Sequence, residues 1–314
     1  MQDQIKDIKN AIVSELIVRF VDVKERISSS NSAYYTLSIY DGTDSIDAKI
    51  WDISDKKDWV KSGEVYRVVG KGNEFAGKTQ FIITEVHPLT DHEKEDLKKF
   101  YKYAKISKEK LEELIFDYAK RIQNQTLSTI VMKMMNKYFL KFFEYPAAVT
   151  MHHNYLSGLA YHVYSMLKLA DSYLELYPFL NPDLLYSGIL LHDIGKVVEL
   201  SEAKGPEYTK AGNLIGHITI TSNEIAIIAN ELNASNDDEV IALQHLVLSH
   251  HGEMQYGSPK EPMMAEAIAL YLIDSTDAKM AGIESEMEST EQGTYTAQIP
   301  SQNRKQLYVP KIKK

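Results

Sequence analysis

The 314-residue sequence predicts two fold classes in series, a small five-stranded β-barrel and then an all-α helical bundle. Three observations carry this. Residues 11–87 alternate apolar and polar side chains with period two between turn signals, the pattern of half-buried strands. From Ser107 onward, apolar residues recur at helical intervals behind capping residues. Pro88 and a charged stretch separate the two patterns.

The elements follow in order. Residues 11–23 are apolar-rich and β-branched and form the first strand. Residues 34–40 alternate, Asp41-Gly42-Thr43-Asp44 is a turn signal, and residues 45–51 alternate again. A short helix is expected at 54–60. Strands at 65–70 and 79–84 are joined by a hairpin around Ala76-Gly77. Five strands with a helix between the third and fourth match the order of an OB-type barrel. Residues 91–106 interleave charge and aromatics and read as a linker helix or strap. Ser107 caps a helix through Leu111, Leu114, Ile115, Tyr118 and Ile122. Further helices are expected at 127–143, 156–176, 182–192, 215–230, 238–250 and 262–287. Asn181-Pro182 is a start signal, with Asn at the cap and Pro at the first helical position. The expected domains are a barrel at 1–88, a helical connector at 89–144, a helical domain at 145–287 and a basic tail at 288–314.

Composition narrows the chemistry. The chain has no cysteine, so disulfides, thiol catalysis, iron–sulfur clusters and Cys-based zinc sites are excluded. Any metal must sit on histidine and carboxylate. No apolar run reaches the roughly 20 residues that span a bilayer, and no signal-peptide pattern opens the chain. The expectation is therefore no membrane and a cytoplasmic location. The net charge of −9 argues against nucleic-acid binding through overall charge. Its distribution is uneven. Residues 1–88 carry 12 basic and 14 acidic side chains, residues 89–145 carry 12 and 9, and the remainder 11 and 21. Local positive groups or a metal must attract any polyanion.

Eight of the ten histidines fall between residues 152 and 251, near the ends of predicted helices. His192-Asp193-Ile194-Gly195-Lys196 closes an apolar helix, where a carboxylate is costly to bury without a positive partner. Asp274 sits in the apolar run Leu270-Tyr271-Leu272-Ile273, and Asp277 shares its face. Neutral imidazole and carboxylate suit zinc, manganese, iron and similar ions. Lys196 follows His192-Asp193 by a short turn at Gly195, where it could neutralise a phosphate oxygen, assist a leaving group or be a surface lysine at a helix end.

The order His162, His192-Asp193, His217, His250, Asp274 resembles the HD superfamily of metal-dependent phosphohydrolases over roughly residues 145–285. The resemblance implies that His162, His192, Asp193 and Asp274 bind one divalent ion. It further implies that Asp193 bridges to a second ion held by His217 and His250, and that Asp193 and Lys196 serve catalysis. Two such ions clamp a phosphodiester and acidify a water. Adjacent residues at a helix end point in different directions, so position favours His250 as ligand. His251 is kept as a substrate contact or as support behind the ligands. His152 and His153 are candidates for the pocket rim, and His245 reads as structural. Asp277 could support a ligand or pair with a lysine.

With the barrel in front, the whole chain resembles the YhaM-type 3′→5′ exoribonucleases of Gram-positive bacteria. The strongest stretches are residues 152–162, the HDIGK run, Gly216-His217-Ile218 and Ser249-His250-His251-Gly252. The resemblance implies removal of nucleotides from the 3′ end of single-stranded RNA, with single-stranded DNA as a second substrate and two divalent ions, Mn2+ first among them. A homo-oligomer is compatible with the sequence. The barrel offers rings at Tyr34, Tyr35, Tyr40, Trp51, Tyr66 and Phe81, of which about a third are expected on a binding face. Ser157 departs from the family, standing where a second glycine is usual. The hairpin at 28–33 lacks an expected Gly-Lys pair. Two other readings compete, an HD phosphohydrolase of small nucleotides with a regulatory barrel and a non-catalytic single-strand-binding protein. The full set of metal-type groups counts against the second, and the barrel against the first.

Overall fold

The computed structural model describes residues 3–51, 53, 60–75, 77–149 and 154–312. The chain divides into two compact units, Met1–Lys102 with Lys204–Pro206, and Tyr103–Ala203 with Glu207–Lys314.

Five strands close the first unit: β1 (Val13–Ile27), β2 (Ala33–Tyr40), β3 (Ser45–Trp51), β4 (Val65–Phe75) and β5 (Lys78–His87). They form a closed barrel in the order β1-β2-β3-β5-β4, with β4 returning to β1. All pairs are antiparallel except β3 with β5. β1 serves two partners because it bends. Its first half pairs with β4 and its second half with β2, and the register shifts between Val21 and Lys24, where Asp22 has φ 55°. The period-two pattern has its expected consequence: Leu16, Val18, Phe20, Ile39, Ile50, Val68 and Phe81 fill the interior. The helix expected at 54–60 falls outside the described residues except at Val60.

The second unit is helical: α1 (Lys108–Ala119), α2 (Gln125–Lys137), α3 (Phe139–Glu144), α4 (Gly158–Leu176), α5 (Pro182–Leu191), α6 (Lys196–Glu199), α7 (Lys210–Leu214), α8 (His217–Glu231), α9 (Asp238–Ser249) and α10 (Ala265–Ser289). Ser107, Asn124 and Asn181 each accept a hydrogen bond from a backbone N–H of the following helix, which satisfies donors that a helix start leaves orphaned. The helix expected at 127–143 is interrupted at Tyr138, whose φ of −106° and ψ of 10° leave the helical region. α5 is buried at every residue from Leu185 to Leu191, so it is the central helix of the core. Among the described residues no helix is long and apolar enough to cross a membrane.

Ser157 explains its own departure. It starts α4 with φ 63°, a conformation that favours glycine. Its Oγ donates to the Phe143 carbonyl at 2.8 Å, a local bond that offsets part of the strain.

Candidate metal centre

Five helices converge on Asp193. α5 delivers His192 and Asp193 just past its last turn, and α9 delivers His250 in the same way. Each of these histidines turns its Nδ1–H back to a carbonyl three residues earlier, His192 to Ile189 at 2.8 Å and His250 to Val247 at 2.7 Å. A carbonyl only accepts, so Nδ1 carries the proton in both rings and Nε2 is left with its lone pair. The helix end therefore fixes both ring orientation and tautomer, using carbonyls that lack helical partners.

The other two histidines are oriented by carboxylates. His162, on the first turns of α4, places Nδ1 2.7 Å from Asp277 Oδ2. His217 opens α8; both Glu199 oxygens lie 3.1 Å from its Nδ1, and Glu199 Oε1 also accepts from its backbone N–H at 3.0 Å. Glu199 thus caps α8 and aims the ring at once. Burial opposes ionisation of Glu199, but the hydrogen bonds and positive potential from His217 outweigh it and hold the carboxyl below the usual range.

The four Nε2 atoms face carboxylate oxygens. His162 and His192 lie 3.8 and 3.3 Å from Asp193 Oδ2, and His217 and His250 lie 3.3 and 3.7 Å from Oδ1. Asp274 Oδ1, from α10, lies 3.3 Å from His162 Nε2. Asp193 is therefore flanked by two imidazoles on each oxygen. His192 Nε2, His217 Nε2, His250 Nε2 and Asp193 Oδ1 are buried without a hydrogen-bond partner among the described residues. Lone pairs of buried rings set against a buried carboxylate repel unless positive charge lies between them. That is the arrangement of a cation site, and the donor set suits a divalent ion.

The protein's own charges partly compensate. Lys196 Nζ lies 2.7 Å from Asp193 Oδ2. Burial alone would lower the pKa of His162, but hydrogen bonds to Asp274 and Asp277 raise it to about 10. Burial raises the pKa of Asp193, but Lys196 and His192 pull it well below the usual range.

Among the described residues, three groups of donors lie close enough to share an ion: His162, His192 and Asp193; His192, His250 and Asp274; and His217, His250 and His251. His251 therefore faces the site beside His250, its ring centroid 4.3 Å away. His152 and His153 lie outside the described residues. His245 is elsewhere, accepting the Met263 N–H at 2.9 Å.

Two glycines let the pieces meet. A Cβ on Gly195 would stand 2.4 Å from the His217 carbonyl oxygen, so the HDIGK turn can touch the start of α8 only without a side chain. Gly252, with φ 78°, seats the turn after His251 on the ring of Tyr271 of α10.

The barrel has its own cluster. Trp51 is 45% and Phe75 65% exposed. Lys49 Nζ lies 5.6 Å from the centre of the Trp51 ring and 5.2 Å from that of Phe75, and Tyr34 stacks on Trp51 at 4.5 Å. Of the rings expected from the sequence, Tyr35, Tyr66 and Phe81 are buried in the barrel instead.

A closed five-stranded barrel followed by a helical unit with a His/Asp centre is an OB-type barrel joined to an HD domain; the HD domain family matches residues 159–279. The 3′-5′ exoribonuclease YhaM of a Geobacillus species is 40% identical over 289 residues, 92% of this chain and 89% of that one. That of Bacillus subtilis is 37% identical over 306 residues, covering 96% and 97%. The chain belongs to the YhaM family of 3′-5′ exoribonucleases. Among solved structures, the second OB-fold domain of replication protein A from Methanococcus maripaludis aligns with TM-score 0.25 at 18% identity, covering 29% of this chain and 97% of that one.

Proposed function

We propose that this protein is a metal-dependent 3′-5′ exonuclease that hydrolyses single-stranded RNA, and single-stranded DNA as a second substrate, at a two-ion centre built on Asp193. The observation that carries the reading is the convergence of four imidazole Nε2 atoms on the two oxygens of one buried carboxylate.

His162, His192, Asp193 and Asp274 would hold one ion. Asp193, His217 and His250 would hold the other, with His251 placed to join them or to meet substrate. Bound divalent ions, Mn2+ in our reading, supply Lewis acidity that clamps a phosphodiester and acidifies a water. The chain's own groups do the rest. Asp277, Glu199 and the Ile189 and Val247 carbonyls hold the four rings with Nε2 inward. Lys196 neutralises Asp193 and is our candidate for neutralising a phosphate oxygen. Trp51, Phe75 and Tyr34 offer faces on which bases stack, and Lys49 a charge for the backbone.

The test is a 5′-labelled single-stranded RNA incubated with the full chain and Mn2+. A ladder descending from the 3′ end is expected. RNA left intact while free nucleotides are turned over would replace this reading with a small-nucleotide phosphohydrolase. RNA bound and never shortened would replace it with a binding protein.

A further inference from the structure

We propose that the C-terminal hairpin, residues 294–309, is a second contact surface for single-stranded RNA; the inference rests on the exonuclease reading above and extends it to a surface that the barrel and the metal centre leave unused.

The segment is built, not loose. The Thr296 N–H donates to the Leu307 carbonyl at 2.9 Å, the Val309 N–H to Thr294 at 2.9 Å, and the Ile299 N–H to Lys305 at 3.0 Å. Thr296, Ile299 and Val309 are buried, and Ser301 packs on Gly282 of α10. Gly282 lies eight residues beyond Asp274 on that helix, about 12 Å at 1.5 Å per residue. The hairpin is therefore anchored on the same rigid element as one carboxylate of the metal centre, within a few nucleotides' reach.

Its outer surface has the chemistry of a strand binder. Tyr295 and Tyr308 are paired across the hairpin, 5.3 Å apart, and are 65% and 50% exposed. Paired rings this exposed need a reason, and base stacking is one that tolerates any sequence. No acidic residue occurs from 292 to 312, although the C-terminal half of the chain is strongly acidic. Arg304, Lys305 and Lys311 are exposed and make no ion pair among the described residues. At the tip, Asn303 and Arg304 both have positive φ, 54° and 58°. These two residues follow the short helical turn Pro300–Gln302, and a positive φ favours glycine or asparagine, so Arg304 holds a strained backbone there. Charge without a partner, beside a free aromatic pair, fits a polyanion with stackable faces better than an acidic protein surface, which has no use for the rings.

The experiment is fluorescence anisotropy with a 5′-fluorescein oligoadenylate RNA of about 20 nucleotides, longer than the ~4–16 that one OB-type barrel covers. EDTA is present so that nothing is cleaved. The parent chain is compared with Tyr295→Ala/Tyr308→Ala and with Arg304→Gln/Lys305→Gln, each checked for an unchanged thermal melt. Both pairs are exposed, so a second readout guards against a structural effect: cleavage of a trinucleotide with Mn2+, which should stay at the parent rate. The tyrosine variant should bind about fivefold or more weakly for each ring removed. The charge variant should reduce the slope of log K against log salt by about one for each phosphate no longer neutralised. Parent-like affinity and slope in both variants would overturn the proposal. So would loss of trinucleotide cleavage, which would make the hairpin a brace for α10, and so would a changed oligomeric state at parent-like affinity, which would make it an interface between copies. If the parent binds the oligomer and never shortens it with Mn2+, the exonuclease reading fails instead, while the affinity differences still decide the hairpin's role.

Discussion

Glu199→Gln isolates one half of the metal centre. Glu199 offers two oxygens to His217, which presents two donors, its backbone N–H and Nδ1–H. Glutamine with its oxygen in the place of Oε1 still accepts from the backbone N–H, but turns an NH2 group toward Nδ1–H where the second carboxylate oxygen stood. Nδ1–H loses that second acceptor, and the bonds that survive no longer go to a charge. A hydrogen bond to a charged group contributes about 1.5–3 kcal/mol. Replacing a group that orients a metal-binding histidine lowers metal affinity about 10- to 100-fold, or about 1.4–2.8 kcal/mol, which agrees. The expected result is a Mn2+ titration of RNA cleavage whose midpoint rises 10- to 100-fold, with the rate recovered at saturation. A melt in EDTA should show a loss of no more than about 1.5–3 kcal/mol, because the amide oxygen still accepts from the start of α8. A midpoint equal to the parent's would refute the role of His217 as a ligand aimed by Glu199. A rate that no concentration of Mn2+ restores would place Glu199 in the chemistry itself.

The pKa of His162 is raised from 6.5 to about 10 in the metal-free protein, so its stabilising contribution is complete below pH 6.5 and is lost as pH rises through 10. Melts in EDTA should therefore fall across that window, and melts with Mn2+ should not, because a metal-binding imidazole is already neutral; equal slopes would contradict the assignment. Gly195→Ala should cost about 1–3 kcal/mol in urea unfolding, as overpacking does, and should weaken Mn2+ binding by pushing His217 away from Asp193. In the barrel, Trp51→Ala or Phe75→Ala should weaken binding of oligoadenylate RNA by about 1–3 kcal/mol each while leaving Mn2+ affinity unchanged.

Much of the fold was readable because its signals are local. Strand alternation and caps such as Ser107 and Asn181 act within a few residues, and the structure places strands and helices there. The ligand candidates were readable for a different reason: histidine is scarce, so eight in one hundred residues stand out. Glu199 did not stand out. It is one of 44 acidic residues, and its role exists only because the chain returns at Gly216-His217 to meet it. Asp277 was visible as a neighbour of Asp274, but its choice of His162 over a lysine depends on where α4 lies against α10. The barrel aromatics divide for a similar reason. Tyr34 and Tyr35 are adjacent and face opposite sides of a strand, and only the closed sheet decides which side is water. Phe75, which is not among the rings picked out from the sequence, is exposed because it is the last residue of β4.

The central claim is that Asp193 joins two cation sites. Crystals of the full chain soaked in Mn2+ and measured at the manganese absorption edge test it directly. Two anomalous peaks are expected per chain, one beside Asp193 Oδ2 with His162, His192 and Asp274, the other beside Oδ1 with His217 and His250. A single peak, or two peaks that do not share Asp193, would contradict the account.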